Sequence, residues 1–213
     1  MTNSRASPQL CLPELNPAMG WVETLMRCVE IVACGSPPAR GISELVSLAQ
    51  ADRWDPFVTL SPSATKWASI AHLERQTGYP VRTEFRTPDE ELPVPASDAV
   101  VACPVTVNTV NKWAAGICDT LALGTLVEAI GRGVPIVAVP FSNPAHLAHP
   151  AFRRNLRDLS DWGVRVVMLD SPYMDSSAWD SSRTPDQAQS PWEIAIAELR
   201  RAAGDGVSPK APL

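Results

Sequence analysis

Nowhere in this chain do about 18 apolar residues run together, so no membrane-spanning helix is expected. No Lys/Arg run forms a patch and the net charge is −5, which argues against a nucleic-acid binder. Neither a CxxC pair nor a His/Cys cluster has metal-ligand spacing, so no metal centre is indicated. GxGxxG and the Walker loop are both missing, which speaks against an ordinary dinucleotide or nucleoside triphosphate site. The N-terminal stretch has Arg5 but no compact apolar segment, so a secretory signal is not expected. Cysteines number five (Cys11, Cys28, Cys34, Cys103 and Cys118), and most lie in apolar runs. Reduced, buried thiols in a cytoplasmic protein are the expectation. Proline is abundant instead: the 21 prolines gather in connections and at both ends.

With 213 residues, 45% of them apolar, the chain can bury one proper core. Residues 1–24 show no sustained period and read as an extension. One domain follows over 25–203, with a loose tail over 204–213. Apolar runs at Arg27–Cys34, Pro56–Leu60, Asp98–Cys103, Gly133–Val139 and Val164–Leu169 read as strands, and Pro80–Thr83 as a short further one. Helical spacing covers Ile42–Ala51, Ser61–Gln76 (ended by Gly78), Val110–Gly131 (bent near Gly116), Ala145–Ser160 and Pro191–Arg201 (capped by Ser190). The stretch 87–96 is an acidic, proline-rich connection, and 170–190 has the length and composition of a lid loop. Strands alternating with helices imply a three-layer α/β sandwich around a doubly wound parallel sheet, Rossmann-like or flavodoxin-like.

Polar loops follow the apolar runs. Pro104–Thr109 and Pro140–Pro144 frame the stretch 97–150, and both are uncharged. Ligands of open α/β sheets bind beyond the carboxyl ends of the strands. Two such loops suggest a flat, hydrogen-bonding ligand. Gly35-Ser36 at a strand–helix junction can offer backbone N–H groups to an anion, or merely turn the chain. Ser61 can close on the same anion, or act only as a helix cap.

The run Pro104-Val105-Thr106-Val107-Asn108-Thr109, then Lys112, Gly116 and Asp119, resembles the "PASANT…K…G…DN" element of the flavin-dependent cysteine decarboxylases. That family includes phosphopantothenoylcysteine decarboxylase and the peptidyl-cysteine decarboxylases of lantibiotic and related ribosomal peptide pathways. Pro140 to Pro150 is similar to its "PxMNxxMWxHP" element, and the likeness runs on to Asn155 and Trp162-Gly163-Val164. Cys34-Gly35-Ser36 and Ser61-Pro62-Ser63-Ala64 resemble its two phosphate loops, so about residues 27–169 are covered. The resemblance implies FMN as cofactor. Gly35, Ser36, Ser61 and Ser63 would hold its phosphate and ribityl chain, and Thr106, Asn108 and Thr109 would line its ring. Asn143 would bind the substrate carboxylate. A homotrimer with the flavin between subunits, often assembled into a homododecamer, is also implied.

Two departures stand out. The family's catalytic histidine falls a few residues before the fourth strand, where this chain reads Asp89-Glu90-Glu91-Leu92-Pro93-Val94. His72 and His149 read as surface and structural residues, leaving His146, in place of the motif's Met, as the candidate acid/base group; Glu90 or Glu91 is another. The coenzyme A branch also carries a lid cysteine, and no cysteine follows Cys118 here. The resemblance therefore implies oxidative decarboxylation of the C-terminal cysteine of a precursor peptide. The cysteine would pass through a thioaldehyde to an enethiol, with O2 restoring the flavin. A flavin-binding protein without decarboxylase activity, or a decarboxylase of coenzyme A biosynthesis, are the other readings.

Overall fold

The computed structural model describes residues 27–89, 94–169 and 190–204. Five strands, β1 (Arg27–Ala33), β2 (Trp54–Leu60), β3 (Ala99–Val105), β4 (Ile136–Pro140) and β5 (Val164–Val166), form one sheet in the order β2-β1-β3-β4-β5. Every pairing is parallel. This is the flavodoxin-like order, with its switch point between β1 and β3. The fold expectation is met.

Helices cover both faces, which is why the central strands are apolar throughout; all seven residues of β3 are buried. On one face α1 (Ile42–Ala51), α2 (Ile70–Thr77) and α7 (Pro191–Gly204) pack a core around Ile31, Leu45, Trp54, Val101 and Trp192. On the other, α3 (Val107–Ala114), α4 (Leu121–Arg132) and α6 (Pro150–Asp161) enclose Val32, Trp113, Leu126, Phe152 and Leu159. Five residues of α5 (Pro144–Ala148) precede α6. Trp113 donates its indole N–H to the Leu126 carbonyl at 3.0 Å, so its polar edge is satisfied inside the core.

Several sequence expectations need correction. Ser61–Gln76 is not one helix: a 3-10 turn at Ala64–Lys66 precedes α2, and Ser61 uses its carbonyl, not a helix cap, to accept from Ala64 N–H at 2.8 Å. Val110–Gly131 is two helices. The chain takes a left-handed turn at Gly116 (φ 68°), a conformation without penalty only for glycine. Ala145–Ser160 is likewise divided, because His149 takes extended geometry before Pro150. Pro80–Thr83 contributes only an isolated bridge from Arg82 to Thr59. Cys118 is exposed and Cys28 half-buried, whereas Cys34 and Cys103 are buried as expected. The extension 1–24, Glu90 and Glu91, nearly all of the 170–190 loop and the tail past Gly204 lie outside the described residues. No described helix is long and apolar enough to cross a membrane.

One carboxylate lies inside the sheet. Glu30, 4% exposed on β1, accepts from Thr59 Oγ1 at 2.6 Å and from Arg82 and Thr125 at 3.4 Å each. Burial raises its pKa above the ordinary 4.5, and the three partners offset this only in part. A raised carboxyl pKa favours the folded state when protonated, so this contribution is full below 4.5 and fades as pH rises. Urea unfolding of wild type and Glu30→Gln, compared between pH 4 and 7, should show wild type losing stability relative to the variant as pH rises. A difference that grows in the opposite direction would mean that the Arg82 pair outweighs burial.

Candidate functional site

The carboxyl ends of β1, β2, β3 and β4 open onto one cleft of about 870 Å³, a size suited to a cofactor. Backbone bonds continue the sheet into its loops. Ser61 N–H reaches the Ala33 carbonyl at 2.9 Å, Cys34 N–H that of Pro104 at 2.8 Å, and Phe141 N–H that of Val105 at 2.9 Å. The nine residues expected at the site (Gly35, Ser36, Ser61, Ser63, Thr106, Asn108, Thr109, Asn143 and His146) all line this cleft. They come from the four junctions where β1 to β4 pass into the following turns and helices, brought together by the parallel strand order.

The Gly35 and Ser63 loops touch. A Cβ built at Gly35 would stand 2.4 Å from Ser63 Oγ and 2.8 Å from its backbone carbon, so only glycine allows the approach. Next to it, Ser36 is 7% exposed and its hydroxyl is buried with no hydrogen-bond partner. A buried, unpaired hydroxyl costs about 1–3 kcal/mol, a cost a ligand oxygen would remove. Ser61 Oγ lies 3.2 Å from Ser63 Oγ. On the β3 side Thr106 caps α3: its Oγ1 accepts from Thr109 N–H at 3.3 Å and lies 3.0 Å from Thr109 Oγ1.

Beneath these hydroxyls sits the Cys34 thiol, which accepts from Thr109 Oγ1 at 3.3 Å. Burial pushes its pKa up, although Thr109, the Thr106 backbone and Ser61 all face the sulfur and act in the other direction. Burial, with Cys34 nearby, also pushes up the Cys103 thiol. Both therefore stay protonated and serve packing and hydrogen bonding rather than attack. Among the described residues lining the cleft, the titratable side chains are Lys112 and His146, and Lys112 Nζ is paired with Asp119 at 2.5 Å.

Asn143 stands at the rim as the cap of α5, its Oδ1 accepting from His146 N–H at 2.9 Å. His146 Nδ1 lies 3.1 Å from Ser142 Oγ and 3.3 Å from Asn143 Nδ2. His72 is exposed on α2, away from the cleft, and His149 caps α6 by accepting from Ala151 N–H at 3.2 Å. Sequence reasoning missed Trp67, which lines the cleft with the Arg40 guanidinium 4.9 Å over its ring. It also missed Asn111, another lining residue, whose Oδ1 accepts from buried Asn155 Nδ2 at 2.8 Å. Only the third dimension pairs these residues, so no local pattern could have marked them.

Fold and cleft define an α/β protein of flavodoxin-like topology with a largely uncharged ligand site at its switch point. The chain belongs to the Flavoprotein family, whose model matches residues 29–192. It is similar to the coenzyme A biosynthesis bifunctional protein CoaBC of Thermococcus kodakarensis, at 32% identity over 113 residues. That match covers 51% of this chain and 28% of the relative, so the chain spans well under two thirds of it. Among solved structures it resembles the FMN-dependent cysteine decarboxylase TvaF from thioviridamide biosynthesis, with TM-score 0.65 and 24% identity over 84% of this chain and 98% of that one. The epidermin biosynthesis protein EpiD from Staphylococcus aureus gives TM-score 0.56 and 26% identity over 66% of this chain and 82% of that one.

The group to test against the cleft is thus a flavin mononucleotide, and the residues fit it. The Gly35–Ser63 approach makes a cradle that a Cβ would fill, and the unpaired Ser36 hydroxyl suits a phosphate oxygen. Thr106, Asn108 and Thr109 offer the uncharged donors and acceptors that flavin edges need. Ser36→Ala separates this role from a structural one. The ligand-free variant should melt no lower than wild type, because a buried unpaired hydroxyl is removed. Its FMN affinity, read by fluorescence quenching, should fall about tenfold, the size of one lost hydrogen bond.

Proposed function

We propose that the protein is an FMN-dependent decarboxylase acting on the C-terminal cysteine of a ribosomally made precursor peptide, leaving an enethiol. The reading is supported by family membership and by a cleft that a neutral amide, Asn143, shares with the cradle formed by Gly35, Ser36, Ser61 and Ser63. Bound FMN supplies the two-electron oxidation of the cysteine, which the side chains here cannot perform. Gly35, Ser36, Ser61 and Ser63 hold the phosphate and ribityl chain. Thr106, Asn108 and Thr109 bind the ring edges.

Asn143 donates its amide N–H to the substrate carboxylate. A neutral donor orients a carboxylate without the strong ion pair that would stabilise its charge and oppose loss of CO2. Trp67, Leu123 and Phe141 add apolar surface to the cleft. The protein is expected to assemble with itself as a trimer, and trimers as a dodecamer. The exposed Phe85 and Ile117 side chains are apolar surface that such contacts would cover.

One observation favours a second reading, a flavin-binding protein without this activity. Among the described cleft residues no unpaired carboxylate and no thiolate stands ready to take a proton. A coenzyme A pathway decarboxylase is disfavoured because no cysteine follows Cys118.

Purified protein should be yellow, and a peptide ending in cysteine should lose CO2 and two hydrogens by mass. Asn108→Ala should weaken the chromophore, whereas Asn143→Ala should keep it and lose turnover by about a hundredfold or more, as for a group acting in the transition state. A yellow but inert wild type would establish the second reading, and a colourless protein that ignores added FMN would remove both.

A further inference from the structure

The Asn143–His146 contact contains its own protonation assignment. Asn143 Oδ1 is the amide atom that meets the backbone N–H of His146, at 2.9 Å. A backbone N–H can only donate, so the amide orientation is settled: oxygen faces the backbone. The other amide atom, Nδ2, then lies 3.3 Å from His146 Nδ1. Nδ2 carries only hydrogens, so this contact is a hydrogen bond when Nδ1 presents its lone pair. Ser142 Oγ, 3.1 Å from the same nitrogen, can donate there too. In the neutral ring the proton therefore sits on Nε2.

We propose that His146 is a positioning residue, not the proton acceptor that stands in for the missing histidine: its backbone N–H and its Nδ1 grip both arms of the Asn143 amide. The inference rests on the proposed function for its kinetic consequence, though not for the tautomer itself. Nδ1 is engaged and Nε2 is protonated, so the neutral imidazole has no lone pair left to take a proton from substrate. What the grip leaves free is one Asn143 N–H, the donor a substrate carboxylate needs. A backbone bond alone would hold Oδ1 but leave the Nδ2 arm less restrained. The side chain of His146 closes the second point of attachment, and one residue thereby sets both distance and orientation of the amide.

The tautomer can be read without turnover. Protein labelled with [15N]histidine contains three histidines, and His146 signals are assigned by their loss in His146→Gln. Long-range proton–nitrogen correlation should show His146 as the Nε2–H form. Asn143→Asp, which puts an acceptor against Nδ1, should move a proton onto Nδ1. A wild-type ring already protonated on Nδ1 would overturn the proposal. With a peptide ending in cysteine, His146→Ala should lower kcat/KM about tenfold, the size of one lost hydrogen bond, because the loosened Asn143 amide acts in the transition state. His146→Gln, whose carbonyl can accept the amide N–H, should recover most of that loss. Loss of a general base would instead lower kcat by about 10² to 10⁴ with no rescue by Gln, which cannot take a proton, and that result would also overturn the proposal. Should wild type turn over no peptide, the proposed function fails while the nitrogen spectra still decide the role of His146.

Discussion

The cleft depends on how closely the ends of β1, β2 and β3 approach one another. Gly35 abuts Ser63 with no room for a Cβ, and the Cys34 sulfur beneath them meets Thr109 while facing Ser61 and Thr106. Three strands that begin far apart in the chain thus end on one sulfur atom and one glycine. Parallel register holds this in place, because the backbone bonds Ser61–Ala33 and Cys34–Pro104 carry the ladder past the strand ends. Hydroxyls mounted on such a floor have little freedom to find partners elsewhere. Ser36 shows the cost: its buried hydroxyl remains unpaired within the chain.

A cleft built this way is poor in chemistry of its own. Its thiols are kept protonated by burial, and its lysine is paired with Asp119. It is rich in neutral donors and acceptors, which could orient a flat cofactor and a carboxylate without an ion pair to either. That division, with chemistry in the bound group and geometry in the protein, is what the flavin-dependent reaction proposed above would require. In the proposed reaction the orientation of a single amide, Asn143, would matter more than any titrating group nearby.

Much of the fold was legible because buried parallel strands read as unbroken apolar runs, and the centres of β1 to β4 were all marked this way. Their ends were less legible. β2 starts at Trp54 and β3 runs on to Val105, since register with a neighbour, not composition, decides where a ladder stops. Helix breaks at Gly116 and His149 were blurred, as helical spacing persists on both sides of each. Of the site, the polar loops were legible from their place after strands, and the resemblance to the flavin-dependent cysteine decarboxylases singled out the nine residues on and beside them. Trp67 under Arg40, and Asn111 against Asn155, were not, because partners far apart in sequence leave no local period.

By itself the sequence determined the layered parallel architecture, the order of the polar loops and the absence of a histidine before β3, for these depend on residue type and spacing. Only the tertiary structure decided that Gly35 and Ser63 touch, that Ser36 is orphaned and that His146 grips Asn143. Those facts concern contacts a few ångströms across. They are settled by packing between strand ends, a level at which the same residues in a different register would do something else.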